Sequence, residues 1–279
     1  MNVAGRAATA AAAQCQHFVD AAIADDFHHR QAGVAVEFAF FPIARDDDKL
    51  RHDDLPDFRD LPCRECEGSA MGLNAQDLRA GMDALAAIEP AFAAGIARVG
   101  YPAPRIRARG YETLLRTIVG QQVSVKAADA MWRKLAEQVG DIGDPAAIAA
   151  ASDEQLRAGH LSRQKASYAR SLADEVTSGR LDLANLPADD EEAIAQLVRI
   201  KGIGRWSAEI YLLFAEGRPD IWPAGDLAVQ IEVGRLLGHD ARPSEKRTRE
   251  LAEAWRPHRG AAAIFTWHHY GAGADAAPV

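Results

Sequence analysis

The stretch "IKGIGRWSAEIYLLFAEGRPDIWPAGD", Ile200 to Asp226, strings together a glycine turn, a tryptophan, an apolar run, a Gly/Pro-rich loop and a final aspartate. Ile200-Lys-Gly-Ile-Gly204 lies between two helix-like patterns, and a turn that narrow needs residues tolerant of positive φ. Glycine also leaves the backbone N–H groups unshielded. At the start of the next helix those amides face outward with the helix dipole behind them, which favours an anion such as phosphate. Gly202, Gly204 and Ser207 are the candidate amide donors. An ordinary corner between two helices carries the same signature, so the turn alone leaves both readings open. Asp226 precedes the apolar run "LAVQIEVG", where an aspartate commonly caps a helix. Pro219 and Pro223 stiffen the loop that fixes where its carboxylate points.

The 279 residues around this stretch are rich in alanine and aliphatic side chains, only 7% aromatic, and poor in alternating β-branched runs. That composition predicts an all-α fold with room for a substantial core. No run of about 18 apolar residues is present, so no transmembrane helix is expected. The N-terminal "MNVAGRAATAAAAQC" lacks a leucine-rich hydrophobic region, so secretion is not expected. Cys15, Cys63 and Cys66 are the three cysteines. None follows residue 66, which excludes disulfide, thiolate and cysteine-cluster chemistry from the rest of the chain. Cys63 and Cys66 have zinc-ribbon spacing without a second pair, and read as a chance pair.

Residues 1–70 hold 7 Lys and Arg against 13 Asp and Glu, most of the net charge of −8. The near-neutral remainder argues against a non-specific polyanion binder, although basic side chains gathered on one face still suit nucleic acid. The first 70 residues have one isolated apolar run, "GVAVEFAFFPI", and no partner for it. They are expected to be disordered, or an extension wrongly assigned to a chain that starts at Met71. Mass spectrometry of the native protein showing an intact 1–70 segment would refute the second alternative.

From Asn74 onward helices follow one another. Asn74 caps a stripe of Leu78, Met82, Leu85 and Ile88 that ends at Pro90. Tyr111 to Val119 forms a helix interrupted by Gly120-Gln121-Gln122, and Ser124 caps the next, which stops at Gly140. Ser152-Asp-Glu-Gln155 is a capping box, and Ser162 opens "RQKASYARSLADEV". With the segments after Pro187, after Asp226 and around "AAAIFTWHHY", about ten helices joined by short loops are expected.

Five motifs in order, "TIVGQQVSVKAA", "LSRQKASYARSLA", "LVRIKGIGRWSAEIYLLFA", "GRPDIWPAGDLAVQ" and "WRPHRGAAAIFTW", span about residues 75–270. Together they resemble the helix-hairpin-helix DNA glycosylase superfamily, and within it the alkylated-base branch. The resemblance implies a glycosylase domain over 71–279. One subdomain, 110–225, would contain the hairpin, and a second would join 71–109 to 226–279, with the catalytic loop at the cleft between them. It implies that Asp226 is the catalytic carboxylate. It also places Trp206 and Trp267 in the base pocket, with Trp222 near Asp226 as pocket or core. Gln122 falls where relatives place the side chain that fills the gap left by an everted base, and reads equally as a turn residue. Lys201, Arg205, Arg163 and Lys165 are candidate DNA-backbone contacts or solvated charges. The main-chain oxygens of Val198, Ile200 and Ile203 correspond to a monovalent cation site of the family. The partner implied is double-stranded DNA with alkylated bases, bound by a monomer in the cytoplasm at the nucleoid. No required cofactor, no iron–sulfur cluster and no membrane association are implied.

The chemistry follows from the residues. Breaking an N-glycosidic bond builds positive charge on the sugar, and a fixed anion beside it stabilises that transition state more than the ground state. The same carboxylate can orient or deprotonate a water. Relatives that also nick the strand carry a lysine two residues after the second hairpin glycine, where this chain has Trp206. A monofunctional enzyme that leaves an abasic site is therefore expected. Where relatives carry a pocket tyrosine this chain has Ile210, so its substrate range stays open. Two alternatives remain: a glycosylase for mismatched or oxidised bases on the same fold, and a non-catalytic hairpin module that only grips DNA.

Overall fold

The computed structural model describes residues 73–274; the expectations for residues 1–70 lie outside the described residues. Among the described residues are twelve α-helices, one 3₁₀ turn and no strand. In chain order they are α1 (Ala75–Ile88), α2 (Pro90–Val99), α3 (Tyr111–Gly120), α4 (Val125–Val139), α5 (Pro145–Ala150), α6 (Asp153–Ala158), α7 (Arg163–Thr177), α8 (Asp190–Leu197), α9 (Arg205–Phe214), α10 (Leu227–Leu236), α11 (Glu245–Leu251), the 3₁₀ turn Ala252–Trp255, and α12 (Arg259–Ala274). The all-α expectation holds, and α2, α5 and α11, for which the sequence analysis names no start, raise the helix number beyond the ten expected. No helix among the described residues is long and apolar enough to cross a membrane.

Side-chain caps set the helix starts. The Asn74 side chain accepts from the N–H groups of Gln76 and Asp77, Ser124 from Ala127, and Ser162 from Lys165. Ser152 and Gln155 close a reciprocal capping box. Each such cap contributes about 1 kcal/mol by satisfying amides that the helix itself cannot.

Packing sorts the helices into two groups. α1, α2, α10, α11 and α12 pack on one another, while α5 and α3 lie against α7, and α4 lies against α3 and α6. α9 packs on α3 and α8, and every one of its residues after Arg205 is buried. It also reaches the first group, because Phe214 meets the Trp267 ring of α12 at 5.7 Å. The core of the first group is a set of edge-on aromatic contacts, Phe92 to Trp255 at 5.0 Å and Trp222 to Trp255 at 5.4 Å. Each such pair adds about 1 kcal/mol to the burial of its rings.

The loop from α9 to α10 is pinned to the start of α12. Asp220 accepts from Arg259 Nε and Nη2, each at 2.8 Å, and from Arg256 Nη1 at 2.5 Å. The Gly260 N–H donates to the Pro219 carbonyl at 2.8 Å. A Cβ at Gly260 would sit 2.7 Å from that oxygen, so only glycine lets the two backbones approach. Arg218 ties the other side of the loop to α8, through Asp190 and the Pro187 carbonyl. Held at both sides, the loop delivers Asp226 to a fixed place.

Candidate active site and DNA interface

Asp226 is the N-cap of α10: its Oδ1 accepts the Val229 N–H at 2.9 Å. Capping is only part of its surroundings. Trp206, in the first turn of α9, donates its indole N–H to Oδ2 at 2.9 Å. Trp267, on α12, donates its own to Oδ1 at 3.2 Å. The residue is 4% exposed. Burial pushes its carboxyl above the ordinary aspartate value, opposed by the Val229 amide and the two indoles. The carboxylate thus lies at the seam of the two helix groups, between indoles contributed by both.

The hairpin joins α8 to α9. Gly202 adopts φ +83°, and Gly204 starts α9 as an N-cap with no side-chain cap bond. The first-turn amides of α9, including that of Ser207, are therefore left without a capping oxygen from their own turn. The hairpin rests on α7: Ser171 Oγ accepts the Lys201 N–H at 3.0 Å, and the Tyr168 ring packs directly under Gly202.

The break between α3 and α4 lies against this hairpin. Gln121 Nε2 donates to the Gly202 carbonyl at 2.8 Å, and Lys165 Nζ donates to the Val119 carbonyl at 2.7 Å. Gln122 is exposed and holds φ +57°, a left-handed conformation rare for a non-glycine residue. The turn is thus braced on both sides while its middle side chain projects outward.

This whole stretch matches a known family: residues 115–257, just over half of the chain, fit the HhH-GPD superfamily of base excision DNA repair proteins. The chain belongs to that superfamily. It is 32% identical over 161 residues to DNA-3-methyladenine glycosylase 1 of Schizosaccharomyces pombe, covering 56% of this chain and 71% of that one. A crystal structure of a Bacillus halodurans DNA-3-methyladenine glycosidase is similar at TM-score 0.64 and 30% identity, covering 70% of this chain and 91% of that one. The fission yeast enzyme in complex with abasic DNA is similar at TM-score 0.56 and 28% identity, covering 67% and 95%. The chain spans 58% of the length of a Bacillus subtilis relative and 64% of an Escherichia coli one.

Within this HhH-GPD chain three of the candidate side chains are engaged by protein partners. Trp222 is core: its ring meets Trp255, and its N–H donates to the Thr248 carbonyl at 3.2 Å. Arg205 is taken by carboxylates, with Nη1 and Nη2 on Glu191 at 2.8 and 2.5 Å and Nε on Glu209 at 2.9 Å. Lys165 is half-buried against the end of α3, and its ammonium pKa is lowered by that desolvation. Glu191 and the Thr248 and Val119 carbonyls are distant in sequence, which periodicity does not reveal, whereas Glu209 lies one helical turn from Arg205. Arg163 and Lys201 instead line a groove of about 920 Å³ beside the hairpin, together with Arg157, which the sequence reading passed over. Gln121 was passed over too, and its place next to Gln122 in a helix break was the available signal.

Lys165 and Lys201 are separable by experiment. Lys201→Ala is expected to lower the salt dependence of duplex affinity by about one counterion. Lys165→Met is expected to leave that slope unchanged and to lower stability in urea by about 1 kcal/mol, the value of a lost buried hydrogen bond. Equal salt slopes for both variants would put Lys165 back among the phosphate contacts.

Proposed function

We propose that this HhH-GPD protein is a monofunctional glycosylase that releases alkylated bases from duplex DNA and leaves an abasic site. The observation that carries the reading is the buried Asp226 carboxylate between two indoles, at the seam beside an uncapped hairpin helix. The relatives named as 3-methyladenine glycosylases support the choice of substrate class. An everted nucleotide whose phosphates rest on the α9 amides would present its sugar to Asp226, and the electron-rich indole faces suit a cationic methylated purine by about 1–2 kcal/mol. An alkylated base is already a good leaving group, so one carboxylate suffices and no general acid is needed.

Trp206 stands where a strand-nicking relative would place lysine, and its N–H is engaged with the carboxylate. Water is then the nucleophile. The carbonyl oxygens of Val198, Ile200 and Ile203 would hold a monovalent cation beside the hairpin. The Ile200 oxygen receives the Ile203 N–H at 3.1 Å and keeps a second lone pair for such an ion. Its charge would face phosphate, outside the chemical step.

The test is incubation with methylated duplex DNA and chromatography of the freed bases, with borohydride present in a parallel sample. Free 3-methyladenine without a trapped protein–DNA adduct is the expected result. A trapped adduct in quantity would overturn the monofunctional assignment, and no freed base would overturn the activity.

A further inference from the structure

The Asp226 carboxylate raises a physical question that its place in the sequence does not answer. A buried carboxylate is costly to ionise unless something compensates the lost hydration, and an adjacent arginine or lysine is the usual means. Among the described residues none is in contact. Arg205 and Glu209 on α9 pair with each other and with Glu191 and Arg249. Glu232 on α10 pairs with His269 of α12 and with Arg235. Glu245 and Arg249 on α11 pair with each other, and His268 of α12 bonds the Val99 carbonyl. The bonds Asp226 receives come from neutral groups: two indoles and the Val229 amide.

We propose that Trp206 and Trp267 are positioning residues of the reaction, whose indole N–H groups hold the Asp226 carboxylate as an oriented anion in place of a cation. The inference rests on the reading of Asp226 as the carboxylate that faces the sugar. A cation in contact would compensate the burial, but its field would cancel the negative potential that a developing oxocarbenium ion needs. Neutral donors stabilise the anion and leave its net charge in place. An indole suits this role, since it is a donor only and cannot turn an acceptor towards the carboxylate.

The placement adds a second consequence. Oδ1 takes the indole of α12 and Oδ2 that of α9, so each oxygen is fixed by a different helix group. The carboxylate plane is set only when the two groups are closed on each other. With the N–H edges turned to the carboxylate, the flat faces of the indoles are left for packing, one of them against Phe214. Both rings are buried, so the tryptophans combine packing in the core with a polar edge that works on Asp226.

The test compares the full chain with Trp206→Phe and Trp267→Phe, which keep an aromatic ring and remove one donor each. The carboxyl carbon of Asp226 is followed by NMR through a pH titration, and base release from methylated duplex DNA is followed in single turnover over the same range. Loss of one charge-assisted hydrogen bond is expected to move the carboxyl titration upwards by about one to two pH units, and the acid limb of base release with it. A titration unmoved in both variants, with base release lowered equally at every pH, overturns the inference and leaves the rings as pocket lining only. Should a phenylalanine variant fail to fold, benzothienylalanine at the same position keeps the shape of tryptophan without its N–H and gives the same two outcomes. A parent chain that releases no base overturns the glycosylase reading instead, and the carboxyl titration then decides the holding role by itself.

Discussion

Asp226→Asn is expected to abolish base release from methylated duplex DNA, by on the order of a thousandfold or more, while duplex affinity stays close to that of the parent. The exchange keeps the size of the side chain and its capping oxygen, since asparagine caps helices as well as aspartate does. What it removes is the charge. The Val229 amide can still donate to Oδ1, so α10 keeps its N-terminus. Rotation of the amide cannot satisfy both indoles, because its NH₂ group must face either the Trp206 or the Trp267 N–H. The variant therefore carries one buried donor pair in conflict as well as the loss of charge. Activity near that of the parent would return Asp226 to the role of a helix cap.

The same pair of proteins tests the electrostatics through stability. Burial raises the folded-state pKa of Asp226 above the ordinary aspartate value, so the folded chain binds this proton more tightly than the unfolded chain does. Stability attributable to this group is then fully present below the unfolded pKa and is lost as pH rises towards the folded one. The stability of the parent relative to the asparagine variant should decline through that window and level off above it. The slope is free of the donor conflict in the variant, which shifts the two curves by a constant. Parallel stability curves across acid pH would mean that Asp226 is not desolvated as its 4% exposure implies.

Much of this was legible in the sequence because it is local. Asn74, Ser124, Ser152, Ser162 and Asp226 each cap a helix within three residues of their own position, and the apolar stripes repeat along single helices. The proximity of Asp226 to the hairpin followed from motif order. What the sequence left open depends on contacts across the fold. Arg205 finds Glu191 fourteen residues back, Lys165 finds a carbonyl on α3, and Trp222 finds Trp255. A free arginine and a paired one look alike in a sequence, since the difference is set by the angle at which two helices cross. The two indole bonds to Asp226 were hidden for the same reason: Trp206 and Trp267 come from helices that meet only in the folded chain.

The two hairpin glycines, alike in the sequence, are expected to respond differently, and Gly202→Ala is the more damaging change. At φ +83° an alanine at 202 carries left-handed strain of roughly 1–2 kcal/mol. Its Cβ would also lie 2.1 to 2.5 Å from three atoms of the Tyr168 ring. That ring packs on the core and its hydroxyl is held by Gln164 at 2.5 Å, so the hairpin or α7 has to shift, for a further 1–3 kcal/mol or about that. A displaced Gly202 carbonyl also drops the Gln121 bond, which unseats the turn carrying Gln122. The expected result is a lower unfolding midpoint together with duplex affinity reduced for every sequence, damaged or not, because amide–phosphate contacts carry no sequence information. Gly204 has φ −86° and ψ 174°, an extended conformation open to any residue. Gly204→Ala is therefore expected to keep the stability of the parent more nearly and to lose duplex affinity through the shielded amides alone. Adding Tyr168→Ala to the Gly202→Ala variant should recover the steric part of its loss and none of the backbone strain. A Gly202→Ala variant that unfolds at the parent's midpoint would mean that the hairpin does not rest on Tyr168, and equal affinity losses for one undamaged and one methylated duplex separate phosphate grip from recognition of the lesion.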